Sequence, residues 1–241
     1  MSELTAQISS TLNGLTREFN IIAHNLANAS TAGYKRRCNT FSKSLMAQGA
    51  VPEESGEVNL NTIFDFSQGR MVQTGRSLDF ALCGKGFFVI ETPQGSLYTR
   101  DGIFQLNQNG QIVDSAGRIV AGEAGPISIP ANIGLSQISV STDGNISAAG
   151  TTIGKFRLVD FEENENELVA AGTNCFQAPE DAEPQPADNL IVKQSFQESS
   201  NVQIVEEVVD MMMVSRLYEA NMKFVSAEVD VAKSIIGVAM A

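Results

Sequence analysis

The residues able to do chemistry are few, and their spacing matches no reaction. His24 is the only histidine in the chain, so no second imidazole can share a metal ion with it. It stands beside Asn25 in a helical pattern and reads as a packing residue rather than a base or ligand. Gly84-Lys85-Gly86 has the look of a phosphate loop, but it fits neither a Walker A motif nor a dinucleotide fingerprint. An apolar strand pattern follows it instead of a helix, which makes it a turn. Glu162, Glu163, Glu165 and Glu167 are dense enough to suggest calcium, yet the Asp-x-Asp-x-Asn-Gly loop is missing, and they read as solvated. No serine occupies a Gly-x-Ser-x-Gly elbow, and nothing singles out a carboxylate pair for glycoside chemistry. Cys38, Cys83 and Cys175 form an odd, widely spaced set without a Cys-x-x-Cys pair; buried free thiols are expected, with one bonded pair as the alternative. The sequence therefore predicts no catalytic residue, no metal site and no cofactor.

The charge distribution points the same way. The chain has 241 residues and a formal net charge of −12. Residues 160–188 hold nine acids and no Lys or Arg. The first 50 residues hold five bases (Arg17, Lys35, Arg36, Arg37, Lys43) against two acids. An acidic chain is a poor nucleic-acid ligand, because neutralising phosphates needs a basic surface. The acidic stretch reads as a solvated loop; the other reading is a head-to-tail contact with basic regions of neighbouring subunits. No apolar run is long enough to span a bilayer, so no direct membrane insertion is expected. The start of the chain lacks the basic and apolar blocks of an ordinary secretory signal.

The elements that must position these residues are two helical patterns around a β-rich middle. Ile8, Leu12, Leu15, Phe19, Ile22 and Leu26 recur at steps of 4, 3, 4, 3 and 4, a heptad-like stripe. A second stripe runs through Val202, Val205, Val209, Met213, Leu217, Ala220, Phe224, Ala227, Val231, Ile235 and Val238. Its helix, capped by Ser199, Ser200 or Asn201, would be about 60 Å long, too long to bury its stripe on a compact domain without a partner helix. Met211, Met212, Met213 and Met222 in that helix read equally as core filling or as an adaptable contact surface. Between the helices, Val58, Leu60, Thr62, Phe64 and Phe66 alternate as a half-buried strand. Short apolar runs follow at 80–82, 87–90, 119–120, 127–129, 138–140 and 156–159, punctuated by Asp101-Gly102, Asn109-Gly110 and Asp143-Gly144. The predicted class is α+β. Residues 1–36 and 191–241 supply long helices packing together as a coiled-coil-like inner domain. Residues 37–66 form an extended linker and first strand, and 67–190 a mainly antiparallel all-β outer domain.

Four ordered blocks carry a resemblance. Asn25-Leu26-Ala27-Asn28, then Thr31-Ala32-Gly33, Tyr34 and Lys35 resemble the N-terminal signature of the flagellar rod and hook proteins. Asp65-Phe66-Ser67-Gln68-Gly69 with Thr74-Gly75 and Leu78-Asp79-Phe80-Ala81 is similar to that family's entry into its β domain. Gly84-Lys85-Gly86-Phe87-Phe88-Val89 with Tyr98-Thr99-Arg100-Asp101-Gly102 and Phe104 resembles the third block. Glu198-Ser199-Ser200-Asn201-Val202, Glu206-Glu207 and Arg216-Leu217-Tyr218-Glu219-Ala220-Asn221 resembles the C-terminal block, with Leu217 where alanine is usual.

The resemblance implies a structural subunit of the basal-body rod, exported without a cleaved signal and polymerising helically through its terminal helices into a drive shaft and export channel. It implies as partners the chain itself, other rod and hook subunits, the export apparatus, and rod-capping or ring proteins. The assembly residues it marks are Asn25, Leu26, Ala27, Asn28, Thr31, Gly33, Tyr34 and Lys35, and, on the C-terminal helix, Val202, Val205, Val209, Met213, Leu217, Ala220, Asn221, Phe224, Val231 and Ile235. The short spacing from Lys35 to Ser67 favours the proximal, FlgF-like type over the distal, FlgG-like type. An assembly or export accessory protein with the same fold is the alternative function.

Overall fold

The run Phe87-Phe88-Val89-Ile90 has no polar residue to turn outward, so a strand built from it must be covered on both faces. The computed structural model describes residues 2–39, 62–179, 182–187 and 189–239; side chains are described for these except 2–6, 162–163 and 228–239. In it, that run is the strand Phe87–Thr92 at the centre of a ten-stranded sheet. It pairs antiparallel with Gly95–Thr99 (Val89 opposite Tyr98), with Ile119–Gly122 (Ile90 opposite Val120) and with Leu158–Asp160 (Phe87 opposite Val159). The two-residue alternation sends Phe88 and Ile90 into one core with Phe80, Phe104 and Phe156. It sends Phe87 and Val89 into a second core with Phe64, Tyr98, Phe161 and Phe176. Aromatic rings meet edge-on in both, Phe88 with Phe104 at 5.1 Å and Tyr98 with Phe161 at 4.8 Å between centroids.

A three-stranded antiparallel meander of Ile138–Val140, Asn145–Ala148 and Thr151–Lys155 adds to the first core, turning at Gly144 with φ +82°. The last stretch of β structure is bent. Ile191–Gln194 pairs with Phe80–Cys83, and Phe196–Glu198 pairs with Met71–Gln73. Between them Ser195 sits at φ +65°, its N–H donating to the Asp79 carbonyl at 2.8 Å and its carbonyl accepting from the Thr74 N–H at 2.8 Å. Those bonds hold a non-glycine residue in the left-handed region.

Several sequence expectations change. Residues 127–129 are mostly buried but form only an isolated bridge from Ser128 to Gln111, not a strand. Asp101-Gly102 is not a hairpin turn. Gly102 lies where a β-carbon would collide with the Phe80 carbonyl, so it serves close backbone approach. The alternating strand is described over Thr62–Asp65, whereas Val58 and Leu60 lie outside the described residues. Glu165 is not simply solvated: it is half-buried, lies 3.6 Å from Lys85 Nζ, and burial raises its carboxyl pKa although Lys85 opposes the shift. The three cysteines form no disulfide among the described residues, and only Cys175 is buried.

The helices are α1 (Ser2–Ala27) and α2 (Ile204–Ala239). The 36 residues of α2 span about 54 Å. Val202 precedes this helix, and the expected caps do not cap it, because Asn201 spends its side chain on the β structure. No helix among the described residues is long and apolar enough to cross a membrane. The chain divides into two compact units. One comprises residues 1–27, 37–62 and 203–241; the other comprises 28–36 and 63–202.

Within the helical unit α1 and α2 pack on each other. Ile22 and Asn25 of α1 are buried, as are Glu207 and Val214 of α2. Asn25 Nδ2 donates to Glu207 Oε2 at 3.2 Å. The rotation this sets turns the apolar stripe of α2 away from α1: Val205 is 77% exposed, Leu217 54% and Phe224 54%, with Val209 and Met213 exposed as well. The face of α2 that buries Glu207 and Val214 is a different one from the stripe that sequence periodicity picks out.

Candidate functional site

The signature after α1 is built as a tight turn. The Thr31 N–H donates to the Asn28 carbonyl at 3.0 Å, and the Tyr34 N–H to the Thr31 carbonyl at 3.3 Å. Thr31 Oγ1 also contacts Asn28 Oδ1 at 3.3 Å. Gly33 adopts φ +66°, and the space its missing β-carbon would fill is taken by the backbone of Arg100 and Asp101. Both facts demand glycine. From this turn the Gly33 N–H donates to the Glu198 carbonyl at 2.7 Å. Asn174 Nδ2 donates to the Ala32 carbonyl at 2.7 Å. Tyr34 is buried beside the turn.

Lys35 then enters the β-rich unit and is almost wholly buried. Its Nζ donates to Glu198 Oε1 at 2.7 Å and to the Ser67 carbonyl at 2.7 Å. Glu198 Oε1 accepts a second bond from the Gly69 N–H at 2.8 Å. Its other oxygen, Oε2, faces Arg100 NH1 at 3.6 Å, an ion contact longer than a hydrogen bond. Arg100 is held in turn by the Gly84 carbonyl at 2.8 Å and lies over the Phe87 ring at 5.4 Å. Burial lowers the pKa of the Lys35 ammonium and of the Arg100 guanidinium, and the Glu198 carboxylate opposes both shifts. One carboxylate therefore serves two buried cations.

The neighbouring segments close around this triad. Gly69 has no room for a side chain because the Ser199 carbonyl occupies it, and the Ser199 N–H donates to the Arg70 carbonyl at 2.8 Å. Gln68 Nε2 donates to the Leu82 carbonyl at 2.7 Å, and Gln68 Oε1 accepts from the Gly84 N–H. Asn201 Oδ1 accepts from the Arg36 N–H at 2.7 Å, and its Nδ2 donates to the Asp65 carbonyl at 2.7 Å. All four sequence blocks thus meet at one buried clasp.

In the helical unit, Asn25 does a parallel job. Its Oδ1 accepts from the Arg37 N–H at 2.8 Å, and its Nδ2 donates to the Arg37 carbonyl at 2.9 Å as well as to Glu207. His24 beside it is half-buried; burial and the Arg37 charge keep its pKa below the usual imidazole value.

Asn28, Thr31, Gly33, Tyr34 and Lys35 are therefore gathered at the clasp side of the signature, while Asn25 belongs to the helical unit. Leu26 is half-buried and Ala27 exposed at the end of α1. On α2, Val205, Val209, Met213, Leu217, Ala220 and Phe224 are exposed and Asn221 is half-buried, its Nδ2 donating to the Leu217 carbonyl. Val202 is buried in the β-rich unit. The side chains of Val231 and Ile235 lie outside the described residues. Sequence reasoning places Glu198, Arg100, Asn201 and Glu207 in the ordered blocks, and Asn201 among the helix caps, but does not count them among the assembly residues. The signal was a charged or amide residue inside each ordered block, without periodicity to show that it turns inward. The arrangement offers buried ion pairing and backbone bonding rather than a reactive group beside an open cleft. No three His, Cys, Asp or Glu side chains among the described residues gather as a metal-ligating group.

Comparison with known proteins places these blocks. Residues 8–35 match the family model described as flagella basal body rod protein. Residues 81–148 match the flagellar hook protein FlgE/F/G D1 domain, and 193–238 the flagellar basal body rod FlgEFG protein C-terminal domain. The flagellar basal-body rod protein FlgG of Buchnera aphidicola subsp. Acyrthosiphon pisum is 35% identical, covering 86% of this chain and 88% of its own length. The rod protein FlgF of Caulobacter vibrioides is 30% identical over 92% and 91%. FlgF of Escherichia coli K12 is 34% identical over 86% of each.

Proposed function

Because the chain belongs to the flagellar basal-body rod protein family, we propose that it is a rod subunit that polymerises helically through α1 and α2. The coarser part of that reading, a structural protein of the basal-body rod, follows from the family itself. The observation that supports the finer part is the exposed apolar stripe of α2, from Val205 to Phe224. Several large apolar side chains in one row on a long helix are costly to leave in water, and a helix from another subunit is their natural cover. In this reading the helices of successive subunits form a coiled-coil-like inner layer around an export channel, and the rod acts as a drive shaft. Other rod and hook subunits are the partners, with the export apparatus and the capping or ring proteins meeting the rod during assembly. The contacts are heterologous, because a tube grows only if they do not close on themselves. Signature spacing favours the proximal member.

Electron microscopy of purified basal bodies tests this, with a small label inserted at Ala149-Gly150, an exposed turn of the meander. Label on the rod near the inner membrane is expected. Label at the outer end would reassign the chain to the distal member. Intact, unlabelled basal bodies despite expression would overturn the subunit reading in favour of an accessory role.

A further inference from the structure

Four of the chain's eight methionines, Met211, Met212, Met213 and Met222, stand on α2. Met213 is 59% exposed, Met212 49% and Met222 42%, so these three fill no core. Met211 is half-buried, as is Met71 in the β-rich unit. Met213 lies in the middle of the uncovered stripe, with Val209 four residues before it and Leu217 four residues after, one helical turn each way. Met222 comes about two and a half turns later and stands roughly half a turn round the helix from Met213.

A thioether in that place has two properties at once. It is apolar and flexible, and packs readily against a neighbouring helix. It is also open to oxidation wherever a peroxide can reach the sulfur. The sulfur lone pair takes one oxygen from hydrogen peroxide: an S–O bond forms, the O–O bond breaks, and water leaves as sulfur gives up two electrons. The sulfoxide is polar, whereas Val209 and Leu217 beside it carry no side-chain donor to meet its oxygen. Covering that stripe with another helix would then bury an acceptor without a partner.

We propose that Met213 is a site of oxidation by hydrogen peroxide in the unassembled chain, and that the sulfoxide bars the chain from assembly. The inference rests on the reading of α2 as an assembly helix and adds a chemical condition to it. A helix laid over the stripe excludes peroxide from this sulfur, so the site is open only before incorporation. Met222, away from the stripe, undergoes the same reaction without the same consequence.

The first measurement uses the purified full chain, treated with hydrogen peroxide and followed by peptide mass spectrometry. Sulfoxide should form several-fold faster at Met213 than at half-buried Met211 and Met71; equal rates overturn Met213 as a preferred site. The second measurement is incorporation. In cells given hydrogen peroxide while flagella grow, the sulfoxide fraction at Met213 should be about ten-fold lower in purified basal bodies than in the unassembled pool, and the difference at Met222 should be smaller. Met213→Gln, which sets a permanent polar group in the stripe, should lower incorporation about ten-fold, and Met213→Leu should keep it. The position is exposed, so unchanged melting of both purified variants is the control for folding. Equal sulfoxide at Met213 in the two fractions, or normal incorporation of the glutamine variant, overturns the effect on assembly while leaving the rod reading intact. Equal losses with glutamine and leucine overturn polarity as its cause. Absence of the unmodified chain from basal bodies overturns the rod reading and this inference together.

Discussion

Lys35 Nζ lies 2.7 Å from Glu198 Oε1, joining residues 163 positions apart in a site from which water is excluded. Arg100 shares the same carboxylate. The two cations are not equivalent, and this makes the clasp testable. Lys35→Met leaves Glu198 with Arg100 as partner and should cost about 3 kcal/mol. Glu198→Leu strands both cations and the Gly69 N–H, and should cost about 5 kcal/mol. Urea unfolding of the purified chain reads the order; equal losses would mean that Arg100 takes no part.

Glycines at two places should respond oppositely to alanine. Gly33 combines a positive φ with backbone in the space of its β-carbon, so Gly33→Ala should destabilise by about 3 kcal/mol. Gly14 lies inside α1 with nothing near its β-carbon position, and Gly14→Ala should stabilise the helix by about 1 kcal/mol. Thermal melts followed by circular dichroism separate the two.

Asp101 gives the fold a pH dependence. Burial raises its carboxyl pKa from 3.8 to about 6, with the Ile103 N–H at 3.0 Å opposing and the charges of Asp114 and Asp79 adding to it. Between those values the folded chain keeps a proton that the unfolded chain has released. This contribution is therefore complete below about pH 4 and is lost as the pH rises through 6, on the order of 3 kcal/mol. Asp101→Asn keeps an acceptor for Ile103 and should flatten that part of the profile in urea titrations across the window.

Helix substitutions should separate stability from assembly. Ile22 is buried in the helical unit, so Ile22→Asp should destabilise the isolated chain by several kcal/mol. Phe224 is exposed, so Phe224→Asp should leave its melting within about 0.5 kcal/mol yet prevent incorporation into basal bodies. Normal incorporation of the Phe224 variant would contradict assembly through this stripe.

The sequence made the helices legible because an apolar stripe at helical spacing survives whatever packs on it. It did not reveal which stripe of α2 meets α1, since periodicity counts carbon and cannot anticipate a buried Glu207 on Asn25. Gly33 and the turn at Asn28 were readable from residue type. The clasp itself was not, because Lys35, Arg100 and Glu198 look like surface charges until pairing across long separations turns them inward. The polar strands Asn145–Ala148 and Thr151–Lys155 escaped for the related reason that half of each faces water.

The bend at Ser195 also dictates when the molecule can be finished. The segments it joins, Ile191–Gln194 and Phe196–Glu198, complete two ladders whose other strands lie more than a hundred residues earlier. Closing so large a loop is slow, and it cannot begin until those late residues are present. A chain made from its N-terminus onward therefore stays open through most of its synthesis. During that time the lysine of its signature has no carboxylate to hold.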